Sequence, residues 1–464
     1  MNSERRLASG WADLAGEGRL PRLVLLALGI WLNAADTLVA ATIMPSVGRD
    51  LGGHAWFGWA TAGFLLGAIV AGASAGRMSE VLGLRRAMVV AGITFAVGCL
   101  LGALAPDMAW FLAGRLVQGV GAGWVAGLSM VAIAVLFPPR HLARVFACTA
   151  AVWGVATLLG PLLGGLFAEA GNWRGVFWLF AGQAIVFCAA APWLLADTAA
   201  PRRGGRVPGR QLAVLAAGVG LVALADIARL PWLKVAMVLL GLAVLAGLLR
   251  LDARAPVRLL PLGATDPRTA IGAGYGAMFA LMASAMGLTV YAPALLQILH
   301  GLSPLWAGYV IAAQAMAWTL AAFAIAGVDG GPAERRCIRT GAALIGVGLL
   351  AMMLALPRAP LWAVVSAAAV MGSGFGLSSS LMNRRILGML EGDDRATGAS
   401  AFIAVRQSGG AVGAAIAGAA ANAVGFGAAP GLASAQAAST WVFATGLPFA
   451  ALGAWAAWRL TRRS

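Results

Sequence analysis

Fourteen mostly apolar runs follow one another along the chain, separated by short polar segments that carry most of its charges. A membrane-spanning helix needs about 20 consecutive apolar residues. With 61% hydrophobic and only 11% charged residues, the chain has more apolar surface than a soluble fold can bury. The sequence therefore predicts an all-α polytopic membrane protein with 14 transmembrane helices. The runs lie at 23–46, 55–75, 87–105, 110–136, 145–168, 175–196, 211–228, 231–249, 270–298, 304–327, 340–357, 361–383, 399–424 and 438–458.

Basic residues alternate between the two sides of these predicted spans. With the N-terminus inside, 26 of the 33 Lys and Arg residues fall in the inner segments and five in the outer loops. Because Lys and Arg accumulate in cytoplasmic loops, we expect a multi-pass protein of the inner (cytoplasmic) membrane with both termini cytoplasmic. This distribution accounts for the net charge of +16 without a nucleic-acid partner.

Polar segments divide the chain into four predicted parts. Residues 1–22 form a cytoplasmic tail, 23–196 a six-helix bundle, 197–268 a linker region with two additional spans, and 269–464 a second six-helix bundle with a short tail. Two six-helix bundles in parallel repeat are typical of many secondary transporters. The repeat is visible in GRMSEVLGLRR after the second run and GVDGGPAERR after the tenth.

Five stretches then carry a family resemblance. The first run contains DTLVAATIMP followed by GRDLGG, the next loop reads GRMSEVLGLRR, the fourth run contains RLVQGVGAG, the fifth GPLLGG, and the thirteenth run lies in TGASAFIAVRQSGGAVGAAI. In this order and spacing they resemble the major facilitator superfamily, and within it the fourteen-span drug:proton antiporter family. The chain departs from the family motifs at Glu80, Val81 and Ala156.

The resemblance implies a major facilitator fold of two six-helix bundles plus two extra linker spans. It also implies a proton-coupled secondary active transporter that exports hydrophobic or cationic small molecules (multidrug efflux) by alternating access.

Asp36 and Arg115 are the clearest candidates for proton coupling. Ionisable residues deep in a span are costly and point to function, and burial favours the protonated form of a carboxylate. We expect Asp36 to carry the proton and Arg115 to tune it. In the alternative, structural interpretation, neighbours such as Asn33 hold the carboxylate and Arg115 clamps helices together with Gln118.

The cytoplasmic loop motif supplies candidates for an inner gate. A carboxylate there can bind the exposed amides of a helix N-terminus in the opposite half and close the inner side. A solvated, charged loop is the alternative. The candidates are Glu80, Arg85, Gly76 and Gly83.

Glycines in the fourth and fifth runs predict close helix packing, because a residue without a side chain lets backbones approach. Proline removes one helical hydrogen bond and bends the helix. The predicted packing residues are Gly119, Gly123, Gly160, Pro161, Gly164 and Gly165.

A substrate cavity is predicted beside the ninth run, where aromatic and thioether side chains recur at helical spacing. Such side chains adapt to varied apolar ligands, although simple packing is the alternative. The candidates are Tyr275, Met278, Phe279 and Met282, with Gln297 and Gln314 as polar contacts.

The chain has no nucleotide-binding signature, and its four cysteines lack metal-ligand spacing. We therefore predict no metal site and no cofactor, and the proton gradient as the energy source.

The expected partners are a small-molecule substrate, protons and the bilayer; a periplasmic partner is left open. A dedicated exporter of one lipid or siderophore is the main alternative. A membrane enzyme is less favoured, because His54, His141 and His300 do not cluster in sequence.

Overall fold

A computed structural model describes residues 18–195, 207–225, 228, 230–328 and 330–462. Most of the predicted tail and most of segment 197–210 lie outside these residues. The described part is all-helical apart from turns and loops. Its α-helices are α1 (Arg19–Leu51), α2 (Phe57–Leu82), α3 (Leu84–Ala103), α4 (Met108–Leu136), α5 (Pro139–Glu169), α6 (Arg174–Leu194), α7 (Gly209–Leu224), α8 (Pro231–Ala253), α9 (Ala270–Leu299), α10 (Pro304–Ala324), α11 (Gly331–Ala355), α12 (Leu361–Gly388), α13 (Gly392–Ala423), α14 (Leu432–Ala444) and α15 (Leu447–Leu460).

Each predicted run falls on a helix, but the count of fourteen spans is not confirmed. Within the described residues, twelve helical segments are long and apolar enough to cross a membrane. Helix α7 is too short, with 16 residues. Helix α13 has 32 residues, but they are mostly the weakly hydrophobic Gly and Ala and include Arg406 and Gln407. The described residues therefore show twelve candidate spans, and the predicted count of 14 transmembrane helices is not shown.

The last run is one candidate span, Leu432–Leu460, built from two helices. Helix α14 ends at Ala444 and α15 begins at Leu447, with Pro448 in its first turn. Proline has no amide hydrogen to continue a helix from the preceding turn but fits a helix start. The chain therefore breaks and restarts within this span.

The helices form two bundles with repeated packing. Helix α1 packs on α5 as α9 packs on α13, α2 on α4 as α10 on α12, and α3 on α6 as α11 on α15. This correspondence is the parallel repeat that the two polar loops suggest. The exact domain boundaries stay predictions.

Two seams join the bundles: α2 packs on α13, and α5 packs on α10. Helices α7 and α8 form a pair that lies over the first seam, since α7 packs on both α2 and α13. Buried apolar side chains fill this contact, among them Ile69 of α2, Val219 of α7 and Val412 of α13. Helix α8 is largely exposed outside α7.

A buried carboxylate fixes the end of this helix pair. Asp252 is fully buried at the end of α8. Its Oδ1 accepts a hydrogen bond from the backbone N of Leu259 (2.7 Å) and its Oδ2 one from Leu260 (2.9 Å). Gln211 of α7 lies 3.4 Å from Oδ1 and donates to the carbonyl of Val257 (2.7 Å). Both helices are thereby tied to the loop that leads into α9.

Candidate functional site

Two helices of the first bundle bring the predicted proton-coupling residues together. Asp36 lies midway along α1 and Arg115 in the first half of α4. Both are buried, with relative exposures of 1% and 3%. Between them α4 also presents Gln118, one turn after Arg115 and fully buried.

The three side chains form one closed hydrogen-bonded group. Arg115 Nη1 donates to Asp36 Oδ2 (2.8 Å) and Oδ1 (3.0 Å) and to Gln118 Oε1 (2.8 Å). Gln118 Nε2 donates in turn to Asp36 Oδ1 (2.8 Å). A buried charge is tolerated when it is paired and hydrogen-bonded, and both oxygens of Asp36 have such partners here.

Helices α2 and α3 complete the surroundings of this group. The Arg115 guanidinium lies over the Phe64 ring at 4.5 Å, and its Nε lies 3.5 Å from the carbonyl oxygen of Ala60. Gln118 Nε2 also contacts Cys99 Sγ at 3.2 Å. Cation–π contact and the carbonyl hold the arginine on the α2 side.

This arrangement offers two possible partners for the Asp36 carboxylate, a proton or Arg115. Protonation would remove the charge of the carboxylate and with it the ion pair with Arg115, so a proton and the guanidinium compete for the same oxygens. The structural interpretation expected Asn33 beside Asp36, whereas the observed partners are Arg115 and Gln118. Sequence reasoning missed Phe64 and Cys99, because nothing in a linear pattern indicates which helix faces α4.

Glycines at helix crossings position the site. A Cβ added to Gly119 would lie 2.1 Å from the carbonyl oxygen of Phe64, and one on Gly123 2.2 Å from that of Ala68. Helices α4 and α2 therefore touch backbone to backbone, which fixes Arg115 over Phe64. The second bundle repeats this crossing, with Gly372 against the Gln314 carbonyl (2.0 Å) and Gly376 against that of Trp318 (2.3 Å).

The glycines of α5 lie where three helices meet. Gly160 and Gly164 face α1, at Leu38 and Thr42, whereas Gly165 faces Leu305 at the start of α10. A Cβ added to Gly308 of α10 would lie 2.9 Å from the Cβ of Pro161. This motif thus packs both inside its bundle and across the seam between the bundles.

Comparison with known proteins decides the family. Residues 26–414 match the Major Facilitator Superfamily. The chain belongs to this superfamily. A probable multidrug-efflux transporter of Mycobacterium tuberculosis is 29% identical over 438 residues, which cover 89% of each chain. Multidrug resistance protein 3 of Bacillus subtilis is 31% identical over 154 residues, 33% of this chain and 30% of that protein.

Solved structures agree on the fold. A D-xylose–proton symporter superposes with a TM-score of 0.64 at 17% identity, covering 94% of this chain and 97% of the symporter. A bacterial homologue of the human lysosomal transporter Spinster, inward-facing and unoccupied, gives 0.66 at 15% identity over 97% and 99%. The protein is therefore a multi-pass membrane transporter with multidrug-efflux relatives, from a family of transporters rather than enzymes.

In this superfamily member the predicted gate residues lie at the end of α2, which contains Gly76 and Glu80, and at its junction with α3. Arg77 Nη1 donates to Glu80 Oε2 at 2.9 Å, one turn apart on the same helix. Gly83 joins α2 to α3 with φ +77°, a backbone conformation that residues with a side chain rarely adopt. Arg85 is partly buried at the start of α3, and a Cβ on Gly76 would meet open space. The contact of Glu80 with the opposite half stays a prediction.

The predicted cavity residues do not form one group. Tyr275 near the start of α9 donates to the Gly398 carbonyl (2.9 Å), whereas Gln297 near its end accepts from Arg49 (3.4 Å). At 1.5 Å per residue these two lie roughly 33 Å apart along the helix. Phe279 packs beside the α2–α13 seam. Met278 is buried on α9, Met282 is partly buried there, and Gln314 is buried on α10. Their role as a cavity lining stays a prediction.

A set of contacts that sequence reasoning missed joins the bundles near the end of α1. Arg49 of α1 donates to Gln297 of α9 (3.4 Å). Asn422 of α13 donates to the Ala55 carbonyl just before α2 (2.7 Å). These contacts and the Gly165–Leu305 approach close the bundles against each other at this end.

Proposed function

We propose that the protein is a proton-coupled secondary active transporter that exports hydrophobic or cationic small molecules by alternating access. The observation that carries this proposal is the buried Asp36–Arg115 pair inside a membrane span. A paired carboxylate at mid-span is a costly feature that a purely structural helix contact does not need. The multidrug-efflux names of the relatives support the substrate class.

In this proposal, a proton and Arg115 compete for Asp36, and this competition couples proton movement to substrate transport. In one conformation the carboxylate is charged and accepts hydrogen bonds from Arg115 and Gln118, the partners that it has in this structure. Protonation frees Arg115 from Asp36, and its remaining partners lie on α2 and α4. Helix α1, which also contacts α10 of the opposite bundle, then shifts against α4. Loss of the proton on the other side restores the pair.

The finer assignments belong to the same proposal. Helices α7 and α13 would bring the spans to fourteen, as in the drug:proton antiporter family. The basic residues favour the cytoplasmic membrane with both termini inside. The energy source is the proton gradient, without a cofactor.

Reconstitution into proteoliposomes tests the proposal. With an imposed pH gradient, we expect several unrelated hydrophobic cations to accumulate against their gradients, and a protonophore to abolish the accumulation. Accumulation of one lipid or siderophore alone would favour the dedicated exporter. Accumulation that persists with the protonophore would overturn proton coupling.

A further inference from the structure

Helix α15 keeps one face free of other helices. Its packed face lies on α9 and α11, with Gly453 against Leu281. The opposite face exposes Leu452, Trp455 and Trp458, and Arg462 follows in the same direction one turn further. Large apolar side chains on a spanning helix that no other helix covers face lipid.

Two arginines are stacked on the indoles of this face. The guanidinium of Arg459 lies 5.0 Å from the ring centre of Trp455, and that of Arg462 lies 4.4 Å from the ring centre of Trp458. Tryptophan prefers the level of the lipid headgroups. Each ring therefore holds a cation at the height where lipid phosphates lie, instead of leaving it free in water.

A third cation lies beside them. Arg459 Nη2 donates to the carbonyl of Arg268 just before α9 (3.1 Å), and the Arg268 side chain is exposed. Asp266 accepts from the backbone N of Arg268, not from its side chain. Within the described residues, no carboxylate forms an ion pair with Arg268, Arg459 or Arg462.

The neighbouring arginines show a different pattern. Arg384 and Arg385 are paired with the buried Glu334 at 3.4 and 3.1 Å, and Arg339 is bonded to Thr461. At the same end of the bundle, therefore, a carboxylate neutralises Arg384 and Arg385, whereas among the described residues no carboxylate neutralises the stacked pair.

We propose that this face of α15 binds the headgroup of an anionic phospholipid of the bilayer. Guanidinium groups bind phosphate through charge-assisted hydrogen bonds. The indoles and Leu452 lie next to the acyl chains, which a free phosphate would leave uncovered. Basic clusters at the ends of spanning helices bind acidic lipids in this manner.

Lipid titration followed by native mass spectrometry tests this proposal. Purified protein in detergent is titrated with phosphatidylglycerol and, separately, with phosphatidylcholine. We expect tight binding of the first lipid only. Arg459→Gln with Arg462→Gln should weaken it by about 25-fold, about fivefold for each basic side chain. Arg335→Gln with Arg336→Gln, which removes the same charge at the start of α11, serves as the matched control and should leave it unchanged.

Two further measurements separate the lipid from simpler explanations. Trp458→Leu keeps an apolar side chain but removes the ring, so we expect weaker lipid binding by about two- to fivefold. Excess inorganic phosphate should not displace the lipid. Wild-type affinity in the Arg459/Arg462 variant, an equal loss in the control, or displacement by phosphate would each overturn the proposal. Transport in zwitterionic vesicles tests the proposed function separately.

Discussion

A single nitrogen of Arg115, Nη1, lies within 3.0 Å of both oxygens of Asp36. The same nitrogen donates to Gln118 at 2.8 Å. This nitrogen carries two hydrogens but has three acceptors, so at least one hydrogen is shared between two acceptors. Any change at Asp36 therefore affects the orientation of Arg115 and Gln118 together.

Asp36→Asn should abolish accumulation against a gradient while substrate still binds, because the amide cannot release a proton. It also leaves Arg115 buried without a counter-charge, which costs about 3–5 kcal/mol. Adding Arg115→Met should recover much of this stability but no accumulation. Thermal unfolding and transport in proteoliposomes measure the two effects.

Asp50→Asn is the matched control at the end of the same helix, where the ion pair with Arg174 is exposed. Surface pairs contribute little, about 0–1 kcal/mol, so we expect uphill transport to persist. Uphill transport by Asp36→Asn would show that another group carries the proton.

Gly119→Ala should destabilise the protein by about 1–3 kcal/mol, since the new Cβ would lie against the Phe64 carbonyl. Gly63→Ala is the control in α2, where a Cβ meets no atom within 4 Å. It should leave stability unchanged or slightly raised. Thermal unfolding in detergent compares the stability of the two variants. Equal losses of stability would contradict the close crossing of α4 and α2.

Glu80→Gln should favour opening at the end of α2, because the neutral amide loses about 0.3–2 kcal/mol of attraction to a helix terminus. Spin-label distances between the bundles at that end should lengthen. Arg77→Gln removes only the contact within α2 and should change them less. If both variants keep wild-type distances and transport, Glu80 is not part of a gate.

Asn422→Ala should weaken closure of the opposite end by about 0.5–1.5 kcal/mol, the usual net contribution of one hydrogen bond. A cysteine placed near Ala55 should then react faster with a water-soluble thiol reagent. Asn172→Ala removes a contact within one bundle and should not change this rate. Equal rates in all three proteins would exclude Asn422 from the closure.

Cysteine labelling in intact cells can test the predicted orientation. A cysteine at position 204 should be protected from an impermeant reagent and labelled only after the cells are opened. Labelling from outside intact cells would show the opposite orientation to the one predicted from the basic residues.

Helix positions could be predicted well because hydropathy is a property of each local segment. The break between Ala444 and Leu447 had a visible signal in Gly446 and Pro448, yet the apolar run continues across it. The contacts between side chains of different helices were harder to predict. Asp36 and Arg115 stood out because charges in spans are rare, but no sequence signal indicated that Gln297 contacts Arg49. Such contacts depend on which helices face each other.

The helix pair α7–α8 lies on one flank of two bundles that are built alike, so the surface that faces lipid is not symmetric. It covers the seam of α2 and α13, and within the described residues it does not pack on α5 or α10. In this part of the chain, protein shields the first flank and leaves the second open to acyl chains. Bilayer thickness and lateral pressure consequently act on the two flanks unequally, even though the bundles themselves are built alike.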